Sequence, residues 1–120
     1  MGPEPAPAPV TTADFRRARS CYRHLAGERG VALLENLLAR GWVARARRDY
    51  VLTTLGHIEL TRRGFAVAPA MRGRGCTDLT ERRDHLAGPL GRALLDALVA
   101  HGRVARRPGF RALVVRRRIL

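Results

Sequence analysis

Two cysteines and two of the four histidines are the side chains whose types could do chemistry: Cys21, His24, Cys76 and His85. Two thiolates and two imidazoles are a complete donor set for tetrahedral zinc. Cys21 and His24 lie three residues apart, a spacing that puts both on one face of a helix. His24 and His85 share one place in an internal repeat spaced by 61 residues, but that spacing sets Arg82, not Cys76, opposite Cys21. The equivalent histidines therefore read first as structural groups, each bonding a helix-end carbonyl or amide across the glycine break that follows. Zinc or another metal is the alternative. Redox sensing is a further alternative, because an arginine-rich field lowers a thiol pKa, although a free cysteine is more often simply buried. Asp78, Glu81 and Asp84 gather near His85, interleaved with Arg82 and Arg83; a capped, salt-bridged helix start accounts for them. There is no phosphate-binding glycine loop, nucleophile elbow or His-Glu zinc helix. The chain reads as a non-enzyme with no catalytic residue.

The second chemistry is cationic. The chain carries 23 basic and 10 acidic residues, a formal net charge of +13, and no lysine. A GC-rich coding sequence explains arginine in place of lysine, but not the surplus of base over acid. A field of this sign points to a polyanion, most simply double-stranded DNA. The candidate contacts are Arg45, Arg47 and Arg48 around one turn, and Arg103, Arg106, Arg107 and Arg111 around another. Guanidinium groups on exposed ribbons suit phosphate and carry no base information. The competing reading is that these are solvated loops of a basic protein. Arg116, Arg117 and Arg118 near the chain end read as a loose tail.

The elements that must position these groups follow from the repeat. His24–Arg45 reads HLAGERGVALLENLLARGWVAR and His85–Arg106 reads HLAGPLGRALLDALVAHGRVAR, identical at 14 of 22 positions without a gap. Phe15, Ala18, Tyr22 and Leu25 fall at helical spacing and predict a helix over residues 13–25. A second, almost wholly apolar helix follows over 31–40, closed by Gly41. Trp42-Val43 and Tyr50–Leu52 read as two short strands joined by a basic turn. Thr53 or Thr54 caps a third helix toward Arg63. In the second copy, residues 76–79 and 80–86 read as helical pieces, Pro89 opens a helix to about Ala100, and a hairpin turns at Pro108-Gly109. The leucine-rich middle helices present too few polar groups to read bases, so they are assigned to the core.

This organisation predicts a predominantly helical α+β protein of two tandem winged-helix-like repeats, each helix-helix-β-hairpin. The expected divisions are a disordered Pro/Ala-rich lead-in at 1–11, a first repeat at 12–64, a connector at 65–75, a second repeat at 76–115 and a basic tail at 116–120. Two cysteines make no disulfide framework. No apolar run reaches the roughly 18 residues of a membrane span, so the chain reads as cytoplasmic with no membrane partner.

Certain residues resemble a known family. Cys21-Tyr22-x-His24-Leu25-Ala26-Gly27, then Gly30-Val31-Ala32, then Leu37-Leu38-Ala39-Arg40-Gly41-Trp42 resembles the C-terminal, regulatory half of ArsR-type winged-helix transcriptional regulators. Tyr50-x-Leu52-Thr53-x-x-Gly56 and Cys76-x-Asp78-x-Thr80-Glu81-Arg82-Arg83-x-His85-Leu86-Ala87-Gly88 continue the likeness, which covers roughly residues 14–113. It implies a homodimer, a small effector and ligand-responsive transcription control. In that family a winged helix precedes these segments and reads the operator. Here the Pro/Ala-rich lead-in stands in that place, so the chain is expected to be a regulatory half, a truncated gene product or a product with altered ends. The leading reading is a regulator module that touches DNA mainly through phosphate. The alternative is a dimerisation or effector-sensing module, metal or redox, with no DNA contact of its own.

Overall fold

Gly27–Ala39 and Gly88–Ala100 are both helices of 13 residues, and they occupy identical places in the repeat. Equivalent leucines point inward from each: Leu33, Leu34 and Leu37 from the first, Leu94, Leu95 and Leu98 from the second, all buried. Full burial of such a side chain contributes about 1.5–3 kcal/mol, so these two stripes supply much of the core. A computed structural model describes residues 10–21 and 23–120. Residues 1–9 of the expected lead-in, and Tyr22, lie outside the described residues.

In chain order the elements are α1 (Thr12–Arg17), β1 (Arg19–Cys21), β2 (His24–Ala26), α2 (Gly27–Ala39), β3 (Val43–Ala46), β4 (Asp49–Leu52), α3 (Thr54–Arg62), β5 (Arg72–Thr77), β6 (Asp84–Ala87), α4 (Gly88–Ala100), β7 (Val104–Ala105) and β8 (Val114–Val115). An antiparallel four-stranded sheet runs β3-β4-β5-β6, and β1-β2 and β7-β8 form two-stranded ribbons. α2 packs on β6, while α4 packs on β2 and β5. Each repeat's helix thus lies on the other repeat's hairpin, and the two copies interlock.

The expectation of a predominantly helical protein is corrected. Of the described residues 37% are helical and 26% are in strands. Neither repeat is helix-helix-hairpin; in each a β-hairpin, β1-β2 or β5-β6, leads into the 13-residue helix. The helix expected over 13–25 stops at Arg17, and Ala18 is already extended (φ −156°, ψ 136°). His24, Leu25 and Ala26 are all buried, which a one-sided surface helix cannot achieve but a strand covered on both faces can. Residues 76–86, expected as helical pieces, are the facing parts of β5 and β6 with the turn between them. β5 also begins inside the stretch read as a connector. Tertiary pairing overrides propensity in such short segments.

Other features follow the local chemistry. Thr53 caps α3 by accepting from the Gly56 amide at 3.0 Å. The terminal arginines are not a loose tail: the Arg116 amide donates to the Arg103 carbonyl at 2.9 Å, and Ile119 is buried in the core. Among the described residues no helix is long and apolar enough to cross a membrane.

Candidate functional site

The two opening hairpins carry the same groups in the same register. On the first, Arg19 faces Ala26, Ser20 faces Leu25 and Cys21 faces His24. On the second, Arg74 faces Ala87, Gly75 faces Leu86 and Cys76 faces His85. Eight residues separate Cys76 from His85, against two between Cys21 and His24. The longer turn shifts the spacing of the strands from 61 to 55 residues, so Cys76, not Arg82, is the structural equivalent of Cys21. Cys21 and His24 are therefore cross-strand neighbours on a ribbon rather than one face of a helix.

The interlocked packing brings the two histidines together. Their Nε2 atoms are 2.9 Å apart, and their ring centroids 4.8 Å. Close helix approach makes this possible. A Cβ on Gly30 would overlap the Leu25 carbonyl and lie 3.4 Å from His85 Cβ; one on Gly91 would overlap the Leu86 carbonyl and lie 3.2 Å from His24 Cβ. The expected bond from each histidine to a helix-end backbone group is replaced by this side-chain pair.

Asp78, on the longer turn, organises the junction. Its carboxylate accepts from the Gly27 amide (2.6 Å), the amides of Thr80 and Glu81 (3.0 Å each), the Thr80 hydroxyl (2.9 Å), Arg19 Nη2 (3.1 Å) and His85 Nδ1 (2.8 Å). Arg19, Asp78 and His85 are each 1% exposed. Burial alone would raise the Asp78 carboxyl, but the bonds from Gly27, Glu81 and Thr80 outweigh it and hold it well below the usual carboxylate range. A carboxylate only accepts, so His85 carries its proton on Nδ1 and turns a lone pair on Nε2 toward His24, which donates. Burial, with His85 and Arg74 nearby, lowers His24 to about 4. Burial also lowers His85, and Asp78 opposes that shift only in part. Both imidazoles are neutral near pH 7.

The two thiols complete the cluster. One donor atom from each of Cys21, His24, Cys76 and His85 lies within 4.8 Å of the other three, with the histidines buried and the cysteines half-buried. Burial raises the Cys76 thiol, and Cys21 and Asp78 add to the rise. The arginine-lowered thiol expected for redox sensing does not hold for Cys76. Asp78, Glu81 and Asp84 are not a helix start either: Asp84 accepts from the Tyr50 hydroxyl at 3.0 Å, and Glu81 faces Arg16 at 3.9 Å. Arg19 faces inward to Asp78. The recurrence of Arg-x-Cys at 19–21 and 74–76 was the signal for the equivalent thiols, and it needs a gap to be seen.

The expected DNA-contacting arginines fall into two groups. Arg45, Arg47 and Arg48 are exposed on the β3–β4 ribbon, with Arg45 Nη1 donating to the Tyr50 hydroxyl at 3.0 Å. In the second group Arg106 and Arg111 are exposed, while Arg103 and Arg107 are half-buried. Arg103 donates to the Arg118 and Ile119 carbonyls, Arg111 to the Ser20 carbonyl, and Arg106 faces Asp96 at 3.7 Å.

Among curated proteins, the chain is similar to an uncharacterized HTH-type transcriptional regulator, YdfF, of Bacillus subtilis (strain 168), with 31% identity over 105 residues. The match covers 83% of this chain and 46% of that protein, so the chain spans about half the length of the relative it matches. No family model matches the chain. No solved structure matches it either.

Proposed function

We propose that the protein acts in transcription control, as an ArsR-type regulator module that contacts DNA through phosphate with its arginine-rich ribbons. The carrying observation is the cluster of exposed guanidinium groups on the β3–β4 ribbon. Arg45, Arg47 and Arg48 crowd the β3–β4 ribbon, all exposed; Arg72 and Arg74 on the adjoining β5 are also exposed, on the opposite face of the sheet from Arg45. Among the described residues Arg47 and Arg48 form no ion pair. The second ribbon is the weaker contact, because its arginines are partly committed to carbonyls and Asp96. The similarity to an HTH-type transcriptional regulator supports the role in transcription control. Consecutive helices among the described residues are separated by two strands, so the contact proposed for this chain is ribbon to phosphate, without base readout. A homodimer and a small effector belong to the same reading.

The test is duplex affinity as a function of salt. Phosphate contact predicts a linear fall of log affinity with log salt, with a slope of roughly 0.9 per phosphate neutralised. Changing Arg45, Arg47 and Arg48 together to Gln flattens that slope by up to about 3. An unchanged slope in this variant overturns the assignment of the ribbon. A second reading, effector sensing with no DNA contact, is favoured by a cavity of about 640 Å³ lined by Arg23, His24, Arg74 and Arg92. Under it, duplex binding is absent even at about 50 mM salt, while small acidic molecules raise Tm.

A further inference from the structure

Phosphate contact gives the two thiols nothing to do, and the histidine pair does not require them. Yet each repeat places one thiol directly across a strand pair from one imidazole, although the turns between them differ in length. We infer that Cys21, His24, Cys76 and His85 form a closed, four-ligand zinc site between the repeats.

The distances suit the ion. With Zn–N of about 2.0–2.1 Å and Zn–S of about 2.3 Å, tetrahedral donors stand about 3.3 Å (N to N) to about 3.8 Å (S to S) apart. The imidazole nitrogens here are 2.9 Å apart, and all four donors lie within 4.8 Å of one another. Shifts of about 1 Å or less reach the tetrahedron. The surrounding shell is also in place. Asp78 accepts from His85 Nδ1 and so aims the Nε2 lone pair at the centre, the carboxylate–histidine arrangement that orients metal ligands. Two sulfurs and two imidazoles select zinc over magnesium or calcium, which require oxygen. Two thiolates cancel the charge of the dication, so the arginines nearby do not oppose it. His24 borders the 640 Å³ cavity and both thiols are half-buried, which gives the ion a route in.

Binding balances as follows. Cys21 and Cys76 each release a proton to solvent, His24 moves its proton from Nε2 to Nδ1, and four bonds form to zinc. The ion then ties β1-β2 of the first repeat to β5-β6 of the second.

The experiment uses the whole chain in reducing buffer with no DNA, so its outcome is separate from that of the DNA reading. Zinc per chain is measured by elemental analysis, affinity by competition with a chromophoric chelator, and proton release by a pH indicator. The site predicts one zinc per chain, close to two protons released per ion near pH 7, and a higher Tm with zinc. Asp78→Asn weakens binding by about 10–100-fold. Cys21→Ser and Cys76→Ser each weaken it further while retaining the parent's circular dichroism, since both positions are half-buried. Less than one zinc per chain overturns the site. So does either serine variant holding zinc as tightly as the parent, because the ion then lies elsewhere.

Discussion

The hairpin that opens the first repeat turns in two residues, and the one that opens the second turns in six, beyond one further strand pair. Both nevertheless set cysteine opposite histidine and leave the histidine at the entrance to a 13-residue helix. Register is held by cross-strand pairs and by what the strands bury, so a turn can lengthen without moving the groups at its base. The extra residues are not idle. They carry Asp78, which bonds the amide that opens α2 in the first repeat and the imidazole of the second. One repeat thus supplies the carboxylate that fixes both, and the pair is symmetric in its ligands but asymmetric in their support.

That asymmetry can be broken most severely at Asp78. Asp78→Ala strands the buried Arg19 charge without its counter-ion, and removal of one member of a buried pair costs about 3–5 kcal/mol. Urea denaturation reads this directly, and a loss under about 1 kcal/mol shows that the longer turn is not the organiser. The symmetric half of the comparison is sharpened by Gly30→Ala and Gly91→Ala. Each forces a methyl into a carbonyl and toward the opposite histidine, for about 1–3 kcal/mol. The two losses should be close to equal, and a wide gap between them denies the equivalence of the helices.

Acid titration of chelator-treated protein asks about the shared histidines. His24 is lowered to about 4 from an ordinary 6.5 by burial, His85 and Arg74. The unfolded chain therefore binds more protons between those values, and stability falls as pH drops through that window. His24→Gln flattens this limb; a limb of unchanged steepness places the titration elsewhere. The smallest effect is expected where only the first repeat has the element. Thr53→Ala removes the cap of α3 and costs about 1 kcal/mol in thermal unfolding, with no counterpart to test in the second copy.

The helices of the core were legible in sequence because a leucine stripe, a glycine stop and a gapless repeat all agreed at Val31–Arg40 and again before Gly102. α3 was legible from Thr53 and Gly64. The opening hairpins were not. Phe15, Ala18, Tyr22 and Leu25 mimic helical spacing, and only the burial of both faces of β2 against the other repeat makes it a strand. The four metal-capable residues were named from their types, but a fixed spacing of 61 hid the equivalence of Cys21 and Cys76. Asp78 and Arg19 were unreadable as partners because 59 residues separate them and only the interlocked packing closes that distance.

The most direct test is the absorption spectrum of the chain loaded with cobalt(II) under reducing conditions. Two imidazoles and two thiolates in a tetrahedron predict intense visible ligand-field bands together with thiolate-to-cobalt charge transfer, at one ion per chain, and Cys76→Ser should diminish both. Weak bands of octahedral cobalt, or a spectrum indifferent to that substitution, contradict a metal centre built where the two repeats meet.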